Sequence, residues 1–202
     1  MTSQSNAVVT RFLHALHERE VSEDDPSALE YFEQAFRQLT NYAKESDRAE
    51  RDRILHGLVG GMTTEQSNWE FGCLANTCGI IVEYGGDPAI AIEPILDRIA
   101  EQFKGVPNFV AVMQTQLGIE HPHCVAEGDW AKLGTAHPEH VWVIGEWYAL
   151  QFMGCAAMAM LSRDAELRKK ARERVDLMQS IEAARGDNPY AYYLAELLES
   201  LS

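Results

Sequence analysis

The sequence predicts an all-α protein, either an irregular helical bundle or a short array of antiparallel helix pairs, with about eight helices and little or no sheet. Apolar residues recur at spacings of three and four along most of the chain, as on one face of a helix. Several of these runs begin at a capping residue, a capping box or an early proline. No run combines strict alternation of apolar and polar residues with many β-branched residues, so strands are not expected.

The first three predicted helices lie before the first pair of consecutive glycines. Ser27 and Glu30 form a capping box ahead of the second of them. Gly60 and Gly61 provide a left-handed stop for the third. The first helix is marked by an apolar stripe from Val8 to Leu16, and the other two are expected at about 27–45 and 48–58.

A fourth helix is predicted after a second capping box, Thr63 with Gln66, and ends at a Gly-Gly pair near residue 85. Within it Gly72, Ala75 and Gly79 form a seam of small residues. Each glycine costs about 1 kcal/mol of helix stability relative to alanine. We interpret the seam as a surface that lets another helix approach closely.

Proline and capping signals define the remaining helices. Asp87-Pro88 begins a stripe that runs to about residue 104, and Pro94 within it predicts a kink or a split. A short helix is expected at about 107–117, and Pro138, Asp164 and Asn188-Pro189 begin the rest. These last helices are expected at about 138–162, 165–184 and 189–201.

One long apolar run, 141–161, has the length of a membrane span. Glu146 and Gln151 lie inside it, and a charge in lipid is costly. We therefore predict that it is the central helix of a soluble bundle.

The chain is expected to form a single all-α domain over 1–202, with possible sub-bundles over 5–104 and 105–202. A shift of 77 residues places Cys78 on Cys155 and Asp87 on Asp164, a weak internal echo of one helix–turn–helix layout.

The charge balance restricts the class of partner. The net charge is −14, with 17 basic against 31 acidic residues, so binding to nucleic acid or to an anionic membrane is not expected. The N-terminus has no basic segment followed by an apolar run, and the four cysteines contain no CxxC pair. These features predict a cytoplasmic protein with reduced thiols.

Residues 120–140 collect histidines and carboxylates around a proline-rich loop. Zinc or iron could be held there by ligands from this segment, namely His121, His123, Cys124, His137 and His140. The alternative is a polar loop without metal, because the spacing matches no common zinc module and no pair of Glu-x-x-His motifs exists. We favour the loop, and the predicted cofactor is none.

Glu146 is the strongest single candidate for chemistry. Its neighbours in the apolar helix are aromatic, and a carboxylate in such surroundings can have a raised pKa and act as a general acid or base. Pairing with an arginine, or access to solvent, is the alternative, and no second catalytic group is identifiable. Trp142, Glu146 and Met153 could also line a pocket for a small apolar ligand.

Three hypotheses of function follow. We expect a cytoplasmic helical interaction or scaffold protein without catalytic activity, whose partner is another protein or a second copy of the chain. The tyrosine-rich C-terminal helix is its candidate surface. The alternatives are a metal-binding protein or metal-dependent enzyme that uses the 120–140 loop, and a binder of a small apolar ligand in the helical core.

Overall fold

The predicted fold class is confirmed in a computed structural model, which describes residues 4–22, 25–63, 66–122, 125–186 and 188–200. Within these ranges the protein is all-α and contains no strand. The α-helices are more numerous than the eight or so predicted: α1 (Gln4–Val21), α2 (Pro26–Glu45), α3 (Arg48–Gly61), α4 (Asn68–Glu83), α5 (Ile92–Gln102), α6 (Val106–Gln116), α7 (Glu127–Ala136), α8 (Val141–Leu161), α9 (Ala165–Glu173), α10 (Val175–Ala184) and α11 (Pro189–Glu199).

Two features raise the number of helices. α7 lies where the sequence predicted only a loop, and the predicted helix 165–184 is divided at Arg174, whose backbone is extended (φ −79°, ψ 107°). The predicted break near Pro94 is present. A 3-10 turn, Pro88–Ile90, precedes α5, so Pro94 falls in the first turn of that helix, where its missing N–H removes no hydrogen bond.

Side-chain caps begin five of the described α-helices, α2, α3, α4, α9 and α11. Asp164 and Asn188 cap α9 and α11 as predicted. Two predicted capping boxes were placed wrongly. Asp25, not Ser27, caps α2, because Pro26 occupies the first helical position. Ser67, not Thr63, caps α4, although the Thr63 N–H donates to Gln66 Oε1 at 3.0 Å, as a capping box requires.

α4 and α8 pack side by side and point in the same direction. A Cβ atom built on Gly72 would lie 2.9 Å from Ala149 Cα, and one on Gly79 would lie 3.0 Å from Ala156 Cα. The glycines therefore allow backbone-to-backbone approach along the predicted small-residue seam. Both contacts join positions 77 apart, which is the shift of the internal echo.

A continuous hydrophobic core runs through the described helices, with α8 at its centre. Trp147 and Met153 on α8 are fully buried and pack with apolar residues from α1 to α11. None of the described helices is both long and apolar enough to span a bilayer, α8 included. The division into sub-bundles 5–104 and 105–202 stays a prediction.

Arg174 lies at the break between α9 and α10, and its side chain forms ion pairs with residues of α5. Its guanidinium lies 2.8 Å from Asp97, 2.8 Å from Asp176 and 3.4 Å from Glu93. Hydrogen bonds to Asp176 and Asp97 raise the pKa of Arg174, and the Arg174 contact lowers the pKa of Asp176. These ion pairs stabilise an extended residue at a position where the sequence contains neither glycine nor proline.

Candidate functional site

The histidines of the 120–140 segment are only partly described. His123 and Cys124 lie outside the described residues. The rings of His137 and His140 are 6.5 Å apart, and each has a nitrogen 3.7 Å from a Glu139 oxygen. Across the described ranges, no group of three His, Cys, Asp or Glu side chains is placed to hold a metal ion. The zinc or iron hypothesis therefore stays a prediction.

Glu146 lies in the second turn of α8 and faces the N-terminus of α4. Both its carboxylate oxygens accept hydrogen bonds from Asn68 Nδ2, at 2.9 and 2.7 Å. Oε2 also accepts from Gln102 Nε2 of α5, at 3.4 Å. The donors come from positions 78 and 44 residues away, so the carboxylate joins three separate helices. Both donors are neutral amides.

The surroundings of Glu146 raise its pKa. Burial is the largest cause, and the hydrogen bonds from Asn68 and Gln102 and the positive charge of Arg98 act in the opposite direction. Arg98 donates to the backbone carbonyls of Thr63 and Gln66, both at 3.2 Å. Its guanidinium is therefore held by backbone oxygens and affects Glu146 only through space.

A cleft with a volume of about 380 Å³ opens beside Glu146, where α1, α4 and α8 meet. This volume is within the range of pockets for small molecules. Three residues at the start of α4, four along α8 and two at the end of α1 line it, namely Ser67, Asn68, Trp69, Val141, Trp142, Gly145, Glu146, Arg19 and Glu20. The lining is thus aromatic and acidic as well as apolar.

The two indoles of the cleft are supported by other rings. Trp69 lies 6.1 Å from Phe32 of α2, centroid to centroid. Trp142 meets Phe109 of α6 edge to face at 6.1 Å, yet 52% of Trp142 remains exposed. A large apolar residue that is half exposed at the mouth of a cleft is available to a ligand.

Gly145 has no packing role in the described structure. A Cβ atom built there would meet nothing within 4 Å, although the residue is helical and lines the cleft. Gly72, Gly79 and Gly154 of the same helix pair each have a close neighbour that explains the missing side chain. Gly145 therefore leaves the backbone of α8 open to the cleft.

The structure places the three candidate pocket residues in two different surroundings. Trp142 and Glu146 line one cleft, but Met153 is fully buried in the core and is not among the lining residues. Asn68, Gln102 and Trp69 were not anticipated as site residues. Their only local signal was a position near a helix end, because their approach to Glu146 depends on the tertiary packing of α4 and α5 on α8.

A second buried carboxylate, Glu70, lies next to the cleft on α4. It is 8% exposed, and His17 Nδ1 is 3.6 Å from its Oε1. Burial and then the negative charge of Glu20 raise its pKa, and His17 acts in the opposite direction. A shallower groove beside it is lined by Glu70, His17 and apolar residues of α1. The start of α4 is thus an acidic region.

No protein family, no curated protein and no solved structure matches this chain.

Proposed function

We propose that the protein binds a small organic ligand in the cleft between α1, α4 and α8. The observation that carries this proposal is the cleft itself, about 380 Å³ with two indoles and a hydrogen-bonded carboxylate in its wall. Binding sites for small molecules combine such apolar walls with a few placed polar groups. The proposal keeps Trp142 and Glu146 of the predicted pocket and replaces an apolar occupant by one with a polar group.

Binding is favoured over catalysis by the chemistry of the lining. Among the described lining residues there is no cysteine, histidine or lysine that could act as a nucleophile or exchange a proton with Glu146. The hydroxyl of Ser67 caps α4 by accepting from the backbone N–H of Glu70, at 3.1 Å. Glu146 is left to orient a ligand through charge and hydrogen bonding.

Fluorescence provides the test, because Trp142 is half exposed at the cleft. A library of small aromatic amines, alcohols and acids would be titrated while tryptophan emission and thermal unfolding are followed. We expect saturable changes with some compounds and their loss in Trp142→Ala. Tyr193→Ala, which removes another exposed aromatic side chain on α11, is the matched control and should bind as wild type. Absence of saturable binding by every compound would contradict the proposal.

A second candidate, the interaction or scaffold protein without catalysis, is favoured by one surface feature. Tyr192 and Tyr193 on α11 are 41% and 53% exposed, with ring centroids 5.8 Å apart. Exposed aromatic pairs are typical of protein contact surfaces. Sedimentation velocity over a range of concentrations tests self-association. A concentration-dependent dimer that is lost in the Tyr192→Ala/Tyr193→Ala variant would support the interaction or scaffold function.

A further inference from the structure

We propose that the occupant of the cleft is an organic cation, a protonated amine or a quaternary ammonium group joined to a flat apolar group. The inference rests on the proposed function and names the class of ligand. It is drawn from the charge of the lining, from the exposed indole and from the open backbone at Gly145.

Charge is the first argument. Three lining residues are charged, Arg19, Glu20 and Glu146. Arg19 and Glu20 are consecutive on α1 and cancel to first order, so the lining is net negative. The described hydrogen-bond donors to Glu146 are neutral amides, which position its oxygens without neutralising them. A cationic group is the complementary partner, and the net charge of −14 also favours its approach.

Arg98 does not remove this charge by direct contact. Its guanidinium donates to two backbone carbonyls and lies over the ring of Phe71, 4.6 Å from the centroid. Arg98 is held by these contacts and is not among the residues that line the cleft. A ligand ammonium can therefore approach the carboxylate from the cleft without displacing Arg98.

The exposed indole is the second argument. Trp142 lies one helical turn before Glu146, so both side chains project from the same face of α8. Indole is the best aromatic partner for a cation, and aromatic side chains near a carboxylate are the usual recognition elements for ammonium groups. Trp69 adds a second indole to the lining, from α4.

The open backbone at Gly145 is the third argument. A glycine inside a helix costs about 1 kcal/mol relative to alanine, and this one has no protein neighbour that requires it. Gly145 lies between Trp142 and Glu146 in sequence and lines the same cleft. A flat group lying against α8 at this point would explain the missing methyl. The ligand would then extend from the indole, across Gly145, to the carboxylate.

The test compares three probes of one shape and different charge. 2-Phenylethylamine, 2-phenylethanol and 3-phenylpropionate would be titrated into the full chain by isothermal titration calorimetry at neutral pH. We expect the amine to bind at least about tenfold more tightly than the alcohol, because it adds an ion pair and a cation–π contact. The propionate should bind most weakly.

Two variants locate the cation. Glu146→Gln keeps the shape and an oxygen for Asn68, and should reduce the preference for the amine over the alcohol to less than about threefold. Glu182→Gln is the matched control, a carboxylate 74% exposed on α10, and should leave the preference unchanged. Gly145→Ala fills open space, so the variant is expected to fold at least as well as wild type while it loses amine binding.

The outcomes separate the inference from the function on which it rests. Equal binding of the amine and the alcohol, or tighter binding of the propionate, would overturn the cationic class and leave ligand binding in the cleft standing. Binding by Gly145→Ala or Glu146→Gln as strong as in wild type would overturn the placement along α8. If no probe of any charge binds, both the inference and the proposed function fail.

Discussion

Replacing Gly72 by alanine tests the close packing of α4 on α8. The new Cβ would lie 2.9 Å from Ala149 Cα and 3.1 Å from Ala149 O, and both are backbone atoms that cannot rotate away. Overpacking of this kind costs about 1–3 kcal/mol, and we expect the upper part of that range because two helices must separate. The gain in helix propensity offsets about 1 kcal/mol of it. The net expected loss is about 1–2 kcal/mol of unfolding free energy.

Urea unfolding followed by far-ultraviolet circular dichroism measures this loss. A change of 1–2 kcal/mol corresponds to a fall in Tm of about 2–8 °C for a chain of this size. Gly60→Ala is the matched control, since a Cβ at Gly60 in α3 meets nothing within 4 Å. It should gain up to about 1 kcal/mol from propensity alone. A Gly72→Ala variant as stable as wild type would refute the assignment of a backbone contact at this position.

Three further predictions concern stability. Burial raises the pKa of Glu70, so the stability linked to this group is present below its unfolded-state pKa and is lost as pH rises through the folded pKa. Glu70→Gln should therefore raise Tm relative to wild type at about pH 7.5 and not at about pH 4, as shown by thermal scans at both values. Arg174→Ala should lower the free energy of unfolding, measured in urea, by about 1 kcal/mol, because it removes the ion pair with Asp97 at the break between α9 and α10. The same loss in 1 M salt would contradict an electrostatic origin. Asn188→Ala should lower the free energy of unfolding by about 1–2 kcal/mol, which is more than the loss expected for Asp25→Ala. Asn188 is a fully buried cap that accepts from two backbone N–H groups, whereas Asp25 is exposed. Equal losses in the two variants would argue against that reasoning.

The sequence predicted those parts of the fold that local signals determine. The apolar periodicity identified most helices, and the Gly72–Gly79 seam correctly indicated close approach by another helix. The partner of the seam, Ala149 on α8, could not be predicted, because the pairing of distant helices depends on the shapes of both surfaces. The apolar stripe of α7 is interrupted by Gly128 and Gly134, and no side chain caps its start, so the local signal was weak.

The candidate site was predicted in part for the same physical reason. Glu146 stood out because a carboxylate is unusual in so apolar a run, and Trp142 was named with it as an aromatic neighbour that could line a pocket. Asn68 and Gln102 are ordinary polar residues near helix ends, and only the tertiary contacts give them a role as donors to Glu146. The break at Arg174 was missed because ion pairs with α5, and not a glycine or proline, maintain it.

The parallel packing of α4 on α8 has a consequence for the order of folding. Two helices that point the same way cannot be joined by a short turn, and here the contacting residues are 77 positions apart. Closing a loop of this length costs about 2 kcal/mol more entropy than closing a short hairpin. At a synthesis rate of about 5–20 residues per second, roughly 4–15 s pass between the synthesis of a residue in α4 and that of the residue it contacts in α8. For that interval the face of α4 that carries Gly72 and Gly79 lacks the helix that covers it in the finished protein.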